Sequence, residues 1–124
     1  MLNKSQQFGK KNELIAASFL KKKGYKILEQ NYRTENGEID IIAKEKETIV
    51  FVEVKSGRTG FAGSPKWAVT FKKQRKISMV ALYYLKIMKR SNHKARFDVV
   101  SIIFNKDNSV NIELLKNAFE LAYK

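Results

Sequence analysis

Cysteine is absent from the 124 residues. That excludes disulfide bridges and thiolate metal sites, and it fits a reducing compartment. No apolar run approaches the roughly 20 residues that a membrane-spanning helix needs. The opening stretch, MLNKSQQFGKKNELIAASFLKKKG, carries basic residues without a continuous apolar segment, so it does not read as a signal peptide. The expectation is a cytoplasmic protein that makes no use of a membrane. Acidic residues are missing altogether between Glu53 and Asp98. That interval holds Lys55, Arg58, Lys66, Lys72, Lys73, Arg75, Lys76, Lys86, Lys89, Arg90, Lys94 and Arg96, within a chain of net charge +13. Charge of one sign over such a length repels itself, and a polyanion is its natural partner. A nucleic acid is the first reading, with DNA favoured over RNA. A membrane-surface binder and a merely soluble basic protein are the alternatives.

The length suits one domain, taken as residues 1–124, with enough chain to bury a real core. Phe8, Ile15, Ala16, Phe19 and Leu20 recur near helical spacing, which predicts a helix over 4–23, stopped by Gly24. YKILEQNYR reads as a strand, and Asn36-Gly37 as a hairpin signal. EIDIIAK and TIVFVEVK are the next two strands, with Glu45-Lys46-Glu47 marking the turn. SGRTGFAGS holds three of the six glycines and reads as a loop. Pro65, the single proline, opens a long helix with Val69, Ile77, Val80, Tyr84 and Ile87 on one stripe. RFDVVSIIF is a fourth strand, VNIELL a fifth, and the tail is compatible with a short helix. The order is α-β-β-β-α-β-β, an α/β fold with a central mixed sheet flanked by helices.

Asp40 interrupts one apolar strand, and Glu53 and Lys55 interrupt the next. A two-residue turn at Lys46-Glu47 makes paired residue numbers sum to 93. Ile39, Ile41 and Ala43 then face Val54, Val52 and Val50 on one apolar face. On the other face Ile42 meets Phe51, Asp40 meets Glu53, and Glu38 meets Lys55. Slipping the register by one residue would destroy this separation. Directly opposed residues have Cβ atoms about 4.5–5.5 Å apart, where two carboxylates repel. A divalent cation removes that repulsion, and Mg²⁺ is satisfied by one or two carboxylates plus waters. Lys55 projects about 6.8 Å further along the same face, placed to orient a water or stabilise charge on a phosphate. A salt-bridge ladder of Glu38 with Lys55 is the plainer reading, but it leaves Asp40 opposite Glu53 unexplained.

Asp40, followed thirteen residues later by Glu53-Val54-Lys55, resembles the PD-(D/E)XK nuclease motif, with Ile39 in place of its nominal proline. The element order also resembles that superfamily's restriction-endonuclease-like core. Gly9-x-x-x-Glu13, Gly24-Tyr25, Asn31-Tyr32-Arg33, GEIDII, FVEVK, the Lys73 region and RFDVV resemble the bacterial YraN family, which is similar to archaeal Holliday-junction resolvases. The resemblance spans roughly residues 8 to 104. It implies that Asp40, Glu53 and the Val54 carbonyl hold Mg²⁺ or Mn²⁺, that Glu13 supports the ion directly or through water, and that Lys55 is the catalytic lysine. It further implies a DNA endonuclease acting on branched or damaged structures, and by analogy with the resolvases a homodimer. On residues alone, Glu13 reads as a surface carboxylate as readily as a site residue. Lys73 reads equally as a lysine extending from the end of the buried stripe and as a cation directed into the acidic pocket. Asp98 reads as structural, pairing with Arg96 or capping.

The loop SGRTGFAGS is placed to cover substrate, with Arg58 on a phosphate and Phe61 as a stacking surface. Lys66, Lys72, Lys73, Arg75 and Lys76 complete the expected nucleic-acid contacts. Trp67 reads as core and the lone His93 as surface. The runner-up functions are a non-catalytic nucleic-acid-binding protein that retains a nuclease fold, and an accessory subunit of a DNA repair or uptake complex.

Overall fold

The computed structural model describes residues 3–58, 68–90 and 93–122, with only the backbone of residues 5 and 6. Helix α1 (Lys4–Lys22) precedes strands β1 (Lys26–Thr34), β2 (Gly37–Glu45) and β3 (Thr48–Arg58). Helix α2 (Phe71–Ile87) leads into β4 (Lys94–Phe104) and β5 (Val110–Phe119). The strands form one sheet in the order β1-β2-β3-β4-β5. β3 and β4 are parallel, and the other neighbours are antiparallel. The expected mixed α/β sheet with its α-β-β-β-α-β-β order is the observed one. No helix among the described residues is long and apolar enough to cross a membrane.

The unbroken run Ile49-Val50-Phe51-Val52 explains why β3 is central: both of its faces are covered. Val50 and Val52 pack with Ile41, Ala43, Ala16, Ala17 and Leu20 beneath α1. Ile49 and Phe51 pack with Ile42, Ile77, Val80 and Tyr84 beneath α2. Pairs across the β2–β3 turn sum to 93, from Glu45–Thr48 to Ile41–Val52, as the two-residue turn requires. β3 runs three residues into the expected glycine loop, because Ser56, Gly57 and Arg58 pair with Ile102, Ile103 and Phe104 of β4.

Three expectations need correction. Helix α2 begins at Phe71, because the Thr70 side chain accepts the Lys73 N–H at 3.2 Å and caps the helix there. Pro65 lies outside the described residues. The stripe of α2 ends at Tyr84, and Ile87 is exposed. The tail is strand rather than helix as far as Phe119. A bulge opens opposite Asp98, with Asn117 left-handed at φ 55, and pairing resumes at Phe97–Phe119, whose rings stack at 4.8 Å.

Asp98 holds that bulge. Fully buried, it accepts the Asn117 N–H at 2.9 Å, the Arg96 Nε–H at 3.0 Å and the Tyr25 hydroxyl at 3.2 Å. Arg96 extends the network to Glu45, whose carboxyl is held below its usual range chiefly by the guanidinium. The structural reading of Asp98 is therefore the observed one. Removing one member of a buried ion pair strands the other, at about 3–5 kcal/mol. Asp98→Ala is expected to lower Tm by roughly 10 °C. A drop of a degree or two in thermal denaturation would contradict that role.

Candidate active site

The hydrogen-bonded pairing of β2 with β3 stops at Ile41–Val52. Beyond it the two strands part, and the Val54 N–H donates to Asp40 Oδ2 at 2.8 Å instead of to a backbone carbonyl. On the other side, the β1–β2 ladder skips the Asn31–Asp40 pair, where Asn31 adopts φ 54. The side-chain alternation of β2 breaks at the same point. Ile39 packs with Ile42 beneath α2 rather than with Ile41 beneath α1. The expected apolar face through Ile39 and Val54 is thus interrupted. Glu38 forms an ion pair with Arg33 at 3.5 Å.

Asp40 and Glu53 nevertheless converge. Their carboxyl groups lie close enough for Glu53 to act directly on Asp40. Burial, followed by the Glu53 hydrogen bond and charge, pushes the Asp40 carboxyl up to about 8. Glu53 is buried, and its Oε2 forms an ion pair with Lys73 Nζ. Burial acts to lower the Lys73 ammonium, but the Glu53 partner outweighs it and the group is raised. Of the two readings open for Lys73, the cation directed into the acidic pocket is the one observed.

Glu13 approaches from α1. It lines a cleft of about 420 Å³ with Gly9, Lys10, Asn31, Arg33, Glu38 and Asp40. Its Oε1 is buried without a hydrogen-bond partner, and burial raises its carboxyl against the opposing Asn31 amide. Among the described residues, no three acidic or histidine side chains come close enough to hold a metal ion together. Glu13 therefore flanks the Asp40–Glu53 pair and does not form a three-carboxylate cluster with it. The pair still fits a hard divalent cation. Mg²⁺ accepts oxygen donors, needs only one or two carboxylates, and completes its shell with waters. A half-buried and a buried carboxyl side by side form an acidic donor set into which such an ion fits.

The model of the uncharacterised protein family UPF0102 matches residues 12–102, from the neighbour of Glu13 to near the end of β4. The chain belongs to UPF0102. A UPF0102 protein of Desulfosudis oleivorans is 55% identical over 120 residues, covering 97% of this chain and 95% of that protein. Relatives from Syntrophus aciditrophicus and Geobacter metallireducens are 52% and 50% identical over 115 and 119 residues. The former alignment covers 93% of this chain and 90% of the relative, and the latter 96% and 97%.

In this UPF0102 chain the expected basic residues separate into two groups. Lys55 Nζ donates to the Ala68 carbonyl just before α2, which ties its ammonium to the helix entrance. Lys73 is the cation that touches the acidic pair. Lys72, Arg75 and Lys76 are exposed on the first turns of α2, and Arg58 is exposed at the end of β3. Lys66, Phe61 and Trp67 lie outside the described residues, and His93 is exposed as expected. Asn31 escaped the sequence reading. From Glu29 to Thr34 the β1–β2 pairs sum to 71, which sets Asn31 against Asp40 once the hairpin tip is placed at Glu35-Asn36.

The raised Asp40 carboxyl gives a pH signature. Asp40 lies at about 8 in the native protein against an ordinary 3.8. Across that window the native state holds a proton that the unfolded chain has lost. Metal-free stability should therefore fall as pH rises from about 4 to 8, by up to about 1.4 kcal/mol per pH unit. Asp40→Asn should flatten this slope. Urea denaturation in EDTA across the range measures it, and identical slopes for the two proteins would show that Asp40 is not the group responsible.

Proposed function

We propose that the chain is a PD-(D/E)XK-type nuclease that hydrolyses phosphodiester bonds in DNA with Mg²⁺ or Mn²⁺. The observation that carries the reading is the convergence of half-buried Asp40 with buried Glu53 at the fork of β2 and β3. A sheet interior gains nothing from two acids held together, since each costs desolvation and their charges repel. Both become favourable with a divalent cation. Such an ion, when bound, would polarise the phosphate and lower the pKa of a water. Asp40 and Glu53 would hold it, the Val54 carbonyl would lie beside it, and Glu13 would orient its waters from across the cleft. Lys73 and Lys55 supply positive charge for the phosphate, and the acid-free run of basic residues draws the polyanion in.

The Lys73–Glu53 ion pair favours a second reading. A lysine already neutralising one carboxylate is what a binding protein that retains the fold without the chemistry would keep. Cleavage separates the two. If the site is catalytic, Asp40→Asn and Lys55→Ala should each lower hydrolysis of duplex, flap or junction DNA by about 10²–10³ while affinity changes little. If the surface only binds, affinity should rise with the lost acid, fall with the lost lysine, and no protein should cut. The metal is checked independently of turnover. Mg²⁺ or Mn²⁺ should raise the Tm of the wild type and leave Asp40→Asn nearly unmoved. Equal shifts in both would remove Asp40 from the ligand set.

A further inference from the structure

Helix α2 buries Ile77, Val80, Ala81 and Tyr84 against the sheet, but its outer side is not the usual polar face. Phe71, Met79, Tyr83 and Ile87 are 60%, 43%, 48% and 54% exposed, too much to count as edges of the core. With Arg75 they fall at every fourth position. That spacing is one i+4 ridge, inclined about 26° to the helix axis and winding slowly around it. From Phe71 to Ile87 it runs roughly 24 Å. Large apolar side chains in one exposed row mark a contact surface.

The charge around the row selects the occupant. The helix has no acidic residue, while Lys72, Lys76 and Lys86 flank the row and Arg75 stands within it. Arg75 already stacks over the Phe71 ring, 5.4 Å from its centroid. A second copy of this helix would bring cations against cations, with no carboxylate on either helix to relieve them. A partner with negative charge at regular intervals and flat apolar faces between them satisfies both features. Unpaired nucleotides have that chemistry: phosphates take the lysines and bases stack on the rings. Base-paired duplex offers the phosphates but hides the base faces.

The row also begins at the end of α2 nearest the acidic pair. It starts at Phe71, two residues before Lys73, whose ammonium rests on Glu53. We propose that the outer ridge of α2 is a track for single-stranded nucleic acid leading to the Asp40–Glu53 cleft, with Phe71 and Tyr83 as stacking rings. The direction of travel rests on the nuclease reading; the track itself does not. Joined to that reading, the substrate class is a nucleic acid with unpaired nucleotides beside the cleavage point.

The test is fluorescence anisotropy in EDTA, using a labelled oligothymidylate and a blunt duplex of equal length. Phe71→Leu and Tyr83→Leu keep apolar bulk and remove the ring, and Tyr83→Phe keeps the ring. Both sites are on the surface, so circular dichroism and Tm of all three variants should match the wild type. Each leucine variant should weaken single-strand binding roughly tenfold. Duplex binding should stay within about twofold, and Tyr83→Phe should bind like the wild type. Unchanged single-strand affinity, or equal losses on both probes, would overturn the track. So would the row serving another partner: ring-dependent binding to phosphatidylglycerol vesicles, or ring-dependent dimerisation in sedimentation, with oligothymidylate affinity unaffected. Ring-dependent binding without cleavage would sink the nuclease reading alone. Cleavage with ring-independent binding would sink the track alone.

Discussion

The site depends on one hydrogen bond, the Val54 N–H donated to the Asp40 carboxylate. A side chain there does the work of a neighbouring strand's carbonyl, and several consequences follow from the exchange. β2 and β3 part beyond Ile41–Val52. Ile39 crosses to the core beneath α2. Asp40 is held against Glu53, and the opening beside them faces Glu13 on α1. A regular ladder continued to Ile39–Val54 would have closed the sheet and left the acids as an ordinary cross-strand pair. The backbone donor also opposes the upward push of burial and Glu53 on Asp40. The carboxyl is therefore satisfied on one oxygen and acidic toward its neighbour.

The same signal in the sequence, an aspartate inside an apolar strand, has two opposite meanings in this chain. Asp98 meets a backbone N–H, a guanidinium and a phenol, and is fully compensated. Asp40 meets one backbone N–H and another acid. Partners distinguish a structural carboxylate from a chemical one, and partners come from elements far apart in the chain. Tyr25 lies 73 residues from Asp98 in sequence.

That distinction sets how much was legible beforehand. The apolar runs gave the strands, and the two-residue turn gave the register of β2 and β3 as far as Val52, because side-chain alternation is local. The break at Asp40 was not legible. Periodicity counts which side chains are apolar and is blind to which backbone donor a carboxylate will take. The start of α2 was misjudged because proline tolerates the first helical turn but does not compel it, whereas the Thr70 hydroxyl supplies a partner the helix lacks. The end of β5 was missed because its last pairs follow a bulge whose support, Asp98, lies on another strand. Lys73 was placed correctly on α2, but only the packing of that helix against the sheet decided that its ammonium reaches Glu53.

The six residues from Ala68 to Lys73 fasten more than their number suggests. The Ala68 carbonyl holds the Lys55 ammonium, and the Thr70 hydroxyl holds the Lys73 backbone. Glu53 holds the far end of the Lys73 side chain. These ties join β3 to the threshold of α2 like a clasp, so two lysines are positioned by contacts made on either side of the connection between those elements.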